Sequence, residues 1–259
     1  MSKPEANVHP DAKIGENVRI EPFATVMEDV EIGEGSWIGP NVTIMSGARI
    51  GKNCEIYPGA VVSAVPQDLK FEGEYTTTEV GNNTTIRECV TVNRGTKDRY
   101  KTEIGSDCLL MAYVHVAHDC AIGDHCIIAN AVNLAGHIVL EDWVVLEGLV
   151  AVQQFLRIGA HAFVAGASLV RKNVPPYVKA AREPLSYTGV NRVGLKRRGF
   201  DDDTIASIEQ IYRLLFVQNS NVSTGLEQVE KEVEAFPERE RIIEFIRHSQ
   251  HGIMRGAVS

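Results

Sequence analysis

The chain is poor in large rings: aromatic residues make up 7% of its 259 residues, and only two are tryptophan. It contains no run of 18 apolar residues, so no transmembrane helix is expected. The opening stretch MSKPEANVHPDAK lacks the apolar core of a secretory leader, which makes a cytoplasmic setting the expectation. Cysteines number five, an odd count that does not read as a disulfide framework in that setting. Positive charge is also short, because 26 Lys and Arg stand against 34 Asp and Glu, a net charge of −8. General nucleic-acid binding is excluded for want of a basic footprint. The remainder, 44% hydrophobic and 23% charged, is that of a globular chain able to bury a sizeable core. Few rings beside 22 glycines suggest a core built by repetition.

The repetition has a period of six. Val8, Ile14, Ile20, Val26, Ile32, Ile38, Ile44, Ile50, Ile56 and Val62 are all β-branched aliphatics. The phase breaks at Asp68 and Glu74, returns at Val80, Ile86 and Val92, and breaks again at Asp98. It then runs unbroken from Ile104 to Val170. Four residues after each aliphatic stands a small or slim residue, such as Ala12, Ala24, Ser36, Ala48 and Cys54. Residues two apart on a strand share a face, so each hexad reads as a short strand with two inward side chains and a corner. Glycine follows the aliphatic at 15, 33, 51, 105, 123 and 159, which are separated by 18 or its multiples. These glycines are expected to serve corners needing unusual φ and ψ. Three hexads per turn define a parallel β-helix of triangular section. Eight to ten coils about 4.8 Å apart would rise roughly 40–48 Å. Cys54, Cys108, Cys120 and Cys126 fall at the small inward position and read as core thiols; Cys89 falls at a corner.

Two inserts interrupt the coil, near 66–79 and 97–103, and inserts on one face of a solenoid often carry function. The repeat stops at VPPYV (174–178), because Pro175 and Pro176 cannot continue a ladder. After LKRRGF the period becomes helical. Asp201, Asp202 or Asp203 can cap a helix whose apolar face is Ile205, Ile208, Ile211, Tyr212, Leu215 and Phe216. A second helix is expected over TGLEQVEKEVEAF and a third after Pro237. The organisation expected is a β-helix over 1–191 and a helical domain over 192–259.

An 18-residue coil also stacks polar residues. His118 falls under Gly136 and Gly136 under Gln154, while Asp119 falls under His137. These are corner positions, so their side chains are expected to reach solvent, and His115 points outward from its strand. Two further histidines, His125 and His161, lack such company and read as structural. Histidine suits the removal of a proton near neutral pH, and a backbone N–H beside glycine suits a developing oxyanion.

With PQDLKFEGE (66–74), IRECVTVNRGT (86–96), GSDCLLMAYVHVAHDC (105–120), NLAGH (133–137), QQF (153–155), IGAHAFVAG (158–166), VPPYV (174–178) and GVNRVGLKRRGF (189–200), the chain resembles, end to end, the bacterial UDP-N-acetylglucosamine O-acyltransferases that open lipid A synthesis. The resemblance implies a left-handed coil, a homotrimer with active sites between subunits, and no metal or coenzyme. It implies transfer of an (R)-3-hydroxyacyl chain from acyl carrier protein to the glucosamine 3-hydroxyl. It makes His118 the general base, Asp119 its orienting partner and the Gly136 amide the oxyanion donor. His115, His137 and Gln154 match substrate contacts, as do Gln67, Asp68 and Lys70 in the first insert. Asn191, Arg197 and Arg198 match nucleotide and phosphate contacts, a task that suits the arginine fork. Gly166 stands where the family sets acyl length, and glycine there implies a chain of about fourteen carbons or more; Pro184 matches a second chain contact. The chain departs from the family at Gln153, where many members carry histidine, so that position cannot carry a proton charge here.

Three rivals share parts of the pattern. An N-acyltransferase of the same pathway uses a related repeat but an extra N-terminal domain, whereas this chain starts coiling at residue 8. A zinc carbonic anhydrase would use His115, His118 and His137 as ligands. A bare scaffold has no use for His118, Asp119, His137 and Gln154 on one edge. Charge is uneven too: residues 171–198 hold eight basic residues against Glu183 alone, leaving the rest of the chain at −15. Such a field can steer an acidic carrier protein and a sugar diphosphate.

Overall fold

The computed structural model describes residues 5–219 and 221–256. The period of six becomes a triangular prism of three parallel sheets. Face A has nine strands, from Asn7–Val8 to Leu169–Val170, and face B has eight, from Lys13–Ile14 to Arg157–Ile158. Face C runs in parallel from Arg19–Ile20 to Val178–Ala181, then adds Ser186–Val190 antiparallel and Arg255–Gly256 from the C-terminal segment. Each hexad supplies one strand, and the chain visits A, B and C in turn. The aliphatics from Val26 to Val170 are buried, and the slim residues four places later, among them Ala24, Ala48 and Cys54, lie beside them. All four cysteines at that position are buried core thiols, and burial pushes the Cys120 thiol up to about 12.

The register explains why the phase survives both inserts. Val80 pairs with Ile50, 30 residues back rather than 18, and with Ile104, 24 residues on. The inserts thus add twelve and six residues, whole hexads in each case. Strands resume at Thr77–Val80 and Lys101–Ile104, so the loops are 65–76, shorter than the sequence indicates, and 94–100, of the expected length but three residues earlier.

The glycine expectation is corrected. Positive φ recurs three places after most of the aliphatics, at Asn17, Phe23, Asp29, Asn41, Asn53, Asp119, His137 and Phe155 among others, and mostly on residues other than glycine. The glycines at 15, 33, 51, 105 and 123 do not have positive φ. A Cβ on Gly33 would come within 2.6 Å of the Gly51 backbone, so this column is glycine because adjacent coils approach too closely for a side chain.

The chain leaves the coil at Asn191. Four helices follow: α1 (Arg192–Arg197), α2 (Asp202–Arg213), α3 (Val222–Glu232) and α4 (Pro237–Arg247). Asp201 caps α2 by accepting from Thr204 N–H, and Pro237 opens α4. The expected apolar face is partly right: Ile205, Ile208, Ile211 and Tyr212 are buried in α2, but Leu215 and Phe216 lie in a π-helical turn, Leu214–Gln218. The helix α1 escaped the pattern because its six residues bury only Leu195. Tyr212 Oη donates to Pro176 O at 2.6 Å and ties the helices to the end of the coil.

Candidate active site

The A–B corner gathers the histidines. His115 opens the face-A strand His115–Val116, half-buried, with Thr91 Oγ1 2.8 Å from its Nδ1. Burial, and then the His118 charge, hold His115 below the usual histidine range. One corner further on, His118 Nδ1 lies 2.8 Å from Asp119 Oδ2. The stacking arithmetic holds: His137 Nε2 is 3.8 Å from Asp119 Oδ2, and the His118 and His137 rings meet edge to face at 5.1 Å. Phe155 covers the other face of His137 at 4.4 Å. A Cβ on Gly136 would come 2.7 Å from His118 Cε1, so only glycine leaves room for that ring. Among the described residues the Gly136 N–H has no hydrogen-bond partner.

The expectation of solvent access fails for two residues. Asp119 has 0% exposure and His118 6%. The cause is the second loop, which folds over the corner. Thr96 Oγ1 donates to Asp119 Oδ2 at 2.7 Å, Thr96 N–H to Oδ1 at 3.0 Å and Arg99 N–H to Oδ1 at 3.2 Å. Burial pushes the Asp119 carboxyl up, but the bonds from His118 and Thr96 and the Arg99 amide outweigh it, and its pKa is lowered. An ionised carboxylate can only accept, so His118 Nδ1 carries the proton and Nε2 is the ring's basic atom.

The first loop sits beside this corner. Asp68 and Lys70, with Thr96, Asp98, His137 and Phe155, line a cleft of about 300 Å³. Asp68 Oδ1 accepts the Lys70 N–H, shaping the turn, while Gln67 and Lys70 are exposed. Gln153 and Gln154 are exposed on the coil above Gly136. Larger hollows lie on the outer face of B and among the helices, and another borders Gln153, Gln154, Phe155 and His251 beside this corner. None of these hollows is lined by a carboxylate-paired histidine.

The remaining residues lie elsewhere in the chain. His125, Trp143, His161 and Tyr177 stack along the B–C corner. Asn191 joins them there, but both ends of its side chain are used: Nδ2 donates to His161 O and Oδ1 caps Gly194 N–H in α1. Arg198 lies over Trp143 with Nη1 3.2 Å from His161 Nδ1, and Arg197 is exposed. Gly166 and Gly148 occupy the third corner, C–A, where Glu147 Oε2 accepts the Gly166 N–H. Pro184 is exposed between the last two long strands of face C. Within one chain, Asn191, Arg197, Arg198 and Gly166 are therefore on different edges from His118.

For a metal, His118, Asp119 and His137 offer ligand atoms within 4.8 Å of one another. Asp119 already accepts from His118, from Thr96 twice and from Arg99, so an ion would have to displace that network. Thr96, Asp98 and Arg99 were missed by sequence reasoning, although their signal was visible as the second break in the repeat.

A hexapeptide coil with a carboxylate-paired histidine at its corner defines an acyltransferase of the hexapeptide-repeat class. Hexapeptide transferase repeats match at 11–36, 29–64 and 101–136, and residues 173–254 match the family described as Udp N-acetylglucosamine O-acyltransferase, Domain 2. An acyl-[acyl-carrier-protein]–UDP-N-acetylglucosamine O-acyltransferase of Aliivibrio fischeri is 40% identical over 76% of this chain and 75% of its own length. One from Anaeromyxobacter is 41% identical over 77% and 78%. Among solved structures, the Bacteroides fragilis UDP-N-acetylglucosamine acyltransferase superposes with a TM-score of 0.95 at 46% identity, covering 98% of this chain and 100% of that one. The Arabidopsis enzyme gives 0.83 at 33%, covering 100% of both. The chain belongs to the UDP-N-acetylglucosamine O-acyltransferase family.

Proposed function

We propose that the protein transfers an (R)-3-hydroxyacyl chain from acyl carrier protein to the 3-hydroxyl of UDP-N-acetylglucosamine, the first step of lipid A synthesis. The observation that carries the mechanism is the His118–Asp119 pair, 2.8 Å apart with Asp119 fully buried. Asp119 holds the proton on Nδ1, so Nε2 takes the proton of the sugar hydroxyl as its oxygen attacks the thioester carbonyl. The C–O bond forms and the carbonyl oxygen gains charge, which the Gly136 N–H stabilises. Collapse breaks the C–S bond, and the proton on His118 passes to the leaving thiolate. Lys70, with Gln67 and Asp68, borders the cleft from the first loop and binds the sugar nucleotide; His115, His137 and Gln154 contact substrate around it.

The separation of edges supports a homotrimer. The A–B and B–C corners are the two edges of face B. Three copies with face B toward a common axis would set the His118 corner of one beside the Asn191, Arg197 and Arg198 corner of the next. The groove between them has face A of one copy and face C of its neighbour as walls. On face C the outward residues Leu109, Ile127, Val145 and Phe163 form an apolar ladder suited to an acyl chain. Gly166 stands at the far edge of that wall, where a Cβ would come 3.2 Å from Gly148 O, so a side chain there shortens the track. No helix is long and apolar enough to cross a membrane among the described residues, and a cytoplasmic site of action fits a carrier-protein substrate.

The test is an assay of purified protein with UDP-N-acetylglucosamine and a panel of acyl carrier protein thioesters. The proposal expects 3-O-acyl product with 3-hydroxyacyl donors of about fourteen carbons or more. Product with no donor, or N-acylation alone, would overturn it.

A further inference from the structure

The second loop does more than cover the site. Its side chains alternate: Lys97 turns to the first loop, where its N–H donates to Glu74 Oε1 at 2.9 Å and its Nζ approaches Glu72 at 3.5 Å. Thr96 and Asp98, on either side of it, turn to the histidines. Thr96 is 5% exposed and gives Asp119 both its hydroxyl and its N–H. Asp98 Oδ2 lies 3.0 Å from His137 Nδ1. The two are coupled, since Asp98 N–H donates to Thr96 Oγ1 at 3.3 Å.

We propose that Thr96 and Asp98 are positioning residues that fix the proton-bearing nitrogen of the two site histidines, Thr96 through Asp119 and Asp98 directly. The Asp98 arm rests on electrostatics. A carboxylate oxygen 3.0 Å from a ring nitrogen repels a lone pair and attracts an N–H, so the proton sits on Nδ1 of His137. In the neutral ring Nε2 is then an acceptor. It stands 3.8 Å from Asp119 Oδ2, a separation that suits two acceptors with no hydrogen between them. His137 Nε2 therefore carries the ring's lone pair, and the group it recognises is a hydrogen-bond donor, a hydroxyl or amide N–H of the sugar. The Thr96 arm rests on burial. Asp119 is faced by His118, His137 and Arg99, and without the Thr96 hydroxyl one oxygen of a fully buried carboxylate loses a bond.

This inference rests on the reading of the cleft as the acyl-transfer site, but its test has a readout independent of turnover. Imidazole ¹⁵N shifts of His118 and His137 are recorded in wild type, Thr96→Val, Asp98→Ala and Asp98→Asn, with kinetics on the same samples. Wild type should show Nδ1–H on both neutral rings. Asp98→Ala should shift His137 toward Nε2–H and lower kcat/KM on the order of tenfold, through KM for the sugar nucleotide. Asp98→Asn, whose amide oxygen still accepts, should restore both. Thr96→Val should lower kcat on the order of tenfold with KM little changed and move the acid limb of the pH profile upward. Asp98→Ala should cost nothing further in a His137→Ala background. Unchanged His137 shifts in Asp98→Ala, or an equal loss in the His137→Ala background, would overturn the Asp98 arm. Thr96→Val with wild-type kcat and acid limb would overturn the other. A wild-type protein without turnover but with the predicted shifts would contradict the functional reading and leave the positioning intact.

Discussion

His118 donates its Nδ1 proton to a carboxylate, Asp119, that has no contact with solvent. The pair fixes the tautomer that leaves Nε2 free to accept a proton. Asp119→Asn keeps the shape but can present an amide N–H to Nδ1, reversing the tautomer. The expected result is a loss in kcat of about a hundredfold or more with KM little changed. Steady-state kinetics on a variant with a wild-type melting curve checks this.

Gly136 is glycine because of the ring beneath it. In Gly136→Ala the new methyl group would sit 2.7 Å from His118 Cε1 and 2.8 Å from Nε2, so the imidazole must move. The expected outcome is a loss of activity on the order of a hundredfold with a melting temperature close to wild type. A crystal structure of the variant should show the His118 ring displaced.

His161 carries an acid-sensitive share of stability. Burial, and then the charges of Arg198 and Arg241, push it down to about 4, so the folded chain holds it neutral. Its contribution is present above the ordinary histidine value of about 6.5 and is lost as pH falls from there toward about 4. His161→Phe keeps the stack with Trp143 and Tyr177 without a titrating group. Its melting temperature should fall less than wild type between about pH 7 and about pH 5, and an equal fall would contradict this reading.

The proposed trimer makes a prediction of its own. Arg198 and His118 lie on opposite edges of face B, so in the proposed trimer His118→Ala and Arg198→Ala chains should each be inactive, through residues that different subunits bring to one site. Random mixed trimers should recover about a quarter of the wild-type sites. Refolded mixtures, verified as mixed by mass, should regain activity that neither parent has.

Much of this was legible in the sequence because a coil turns spacing into geometry. Stepping by 18 put Asp119 under His137 and His118 under Gly136, and both contacts exist. The same arithmetic fails inside an insert, which has no period: the break in the repeat marks the second loop, but not that Thr96, Asp98 and Arg99 turn onto the histidine corner or that Asp119 is buried beneath them. Asn191 shows a second limit. A motif match makes it a ligand contact, whereas the fold already uses its oxygen as a helix cap and its amide as a tie to His161. The glycines show a third, because sequence spacing locates them but does not distinguish strained φ from close approach.

His118 is the proposed base. The direct measurement is the rate of acyl transfer from a 3-hydroxyacyl carrier protein to UDP-N-acetylglucosamine by His118→Ala, with the oligomeric state and melting curve taken on the same sample. A fall of about a hundredfold to ten-thousandfold in a trimer of unchanged stability is predicted. Turnover near the wild-type rate would contradict it.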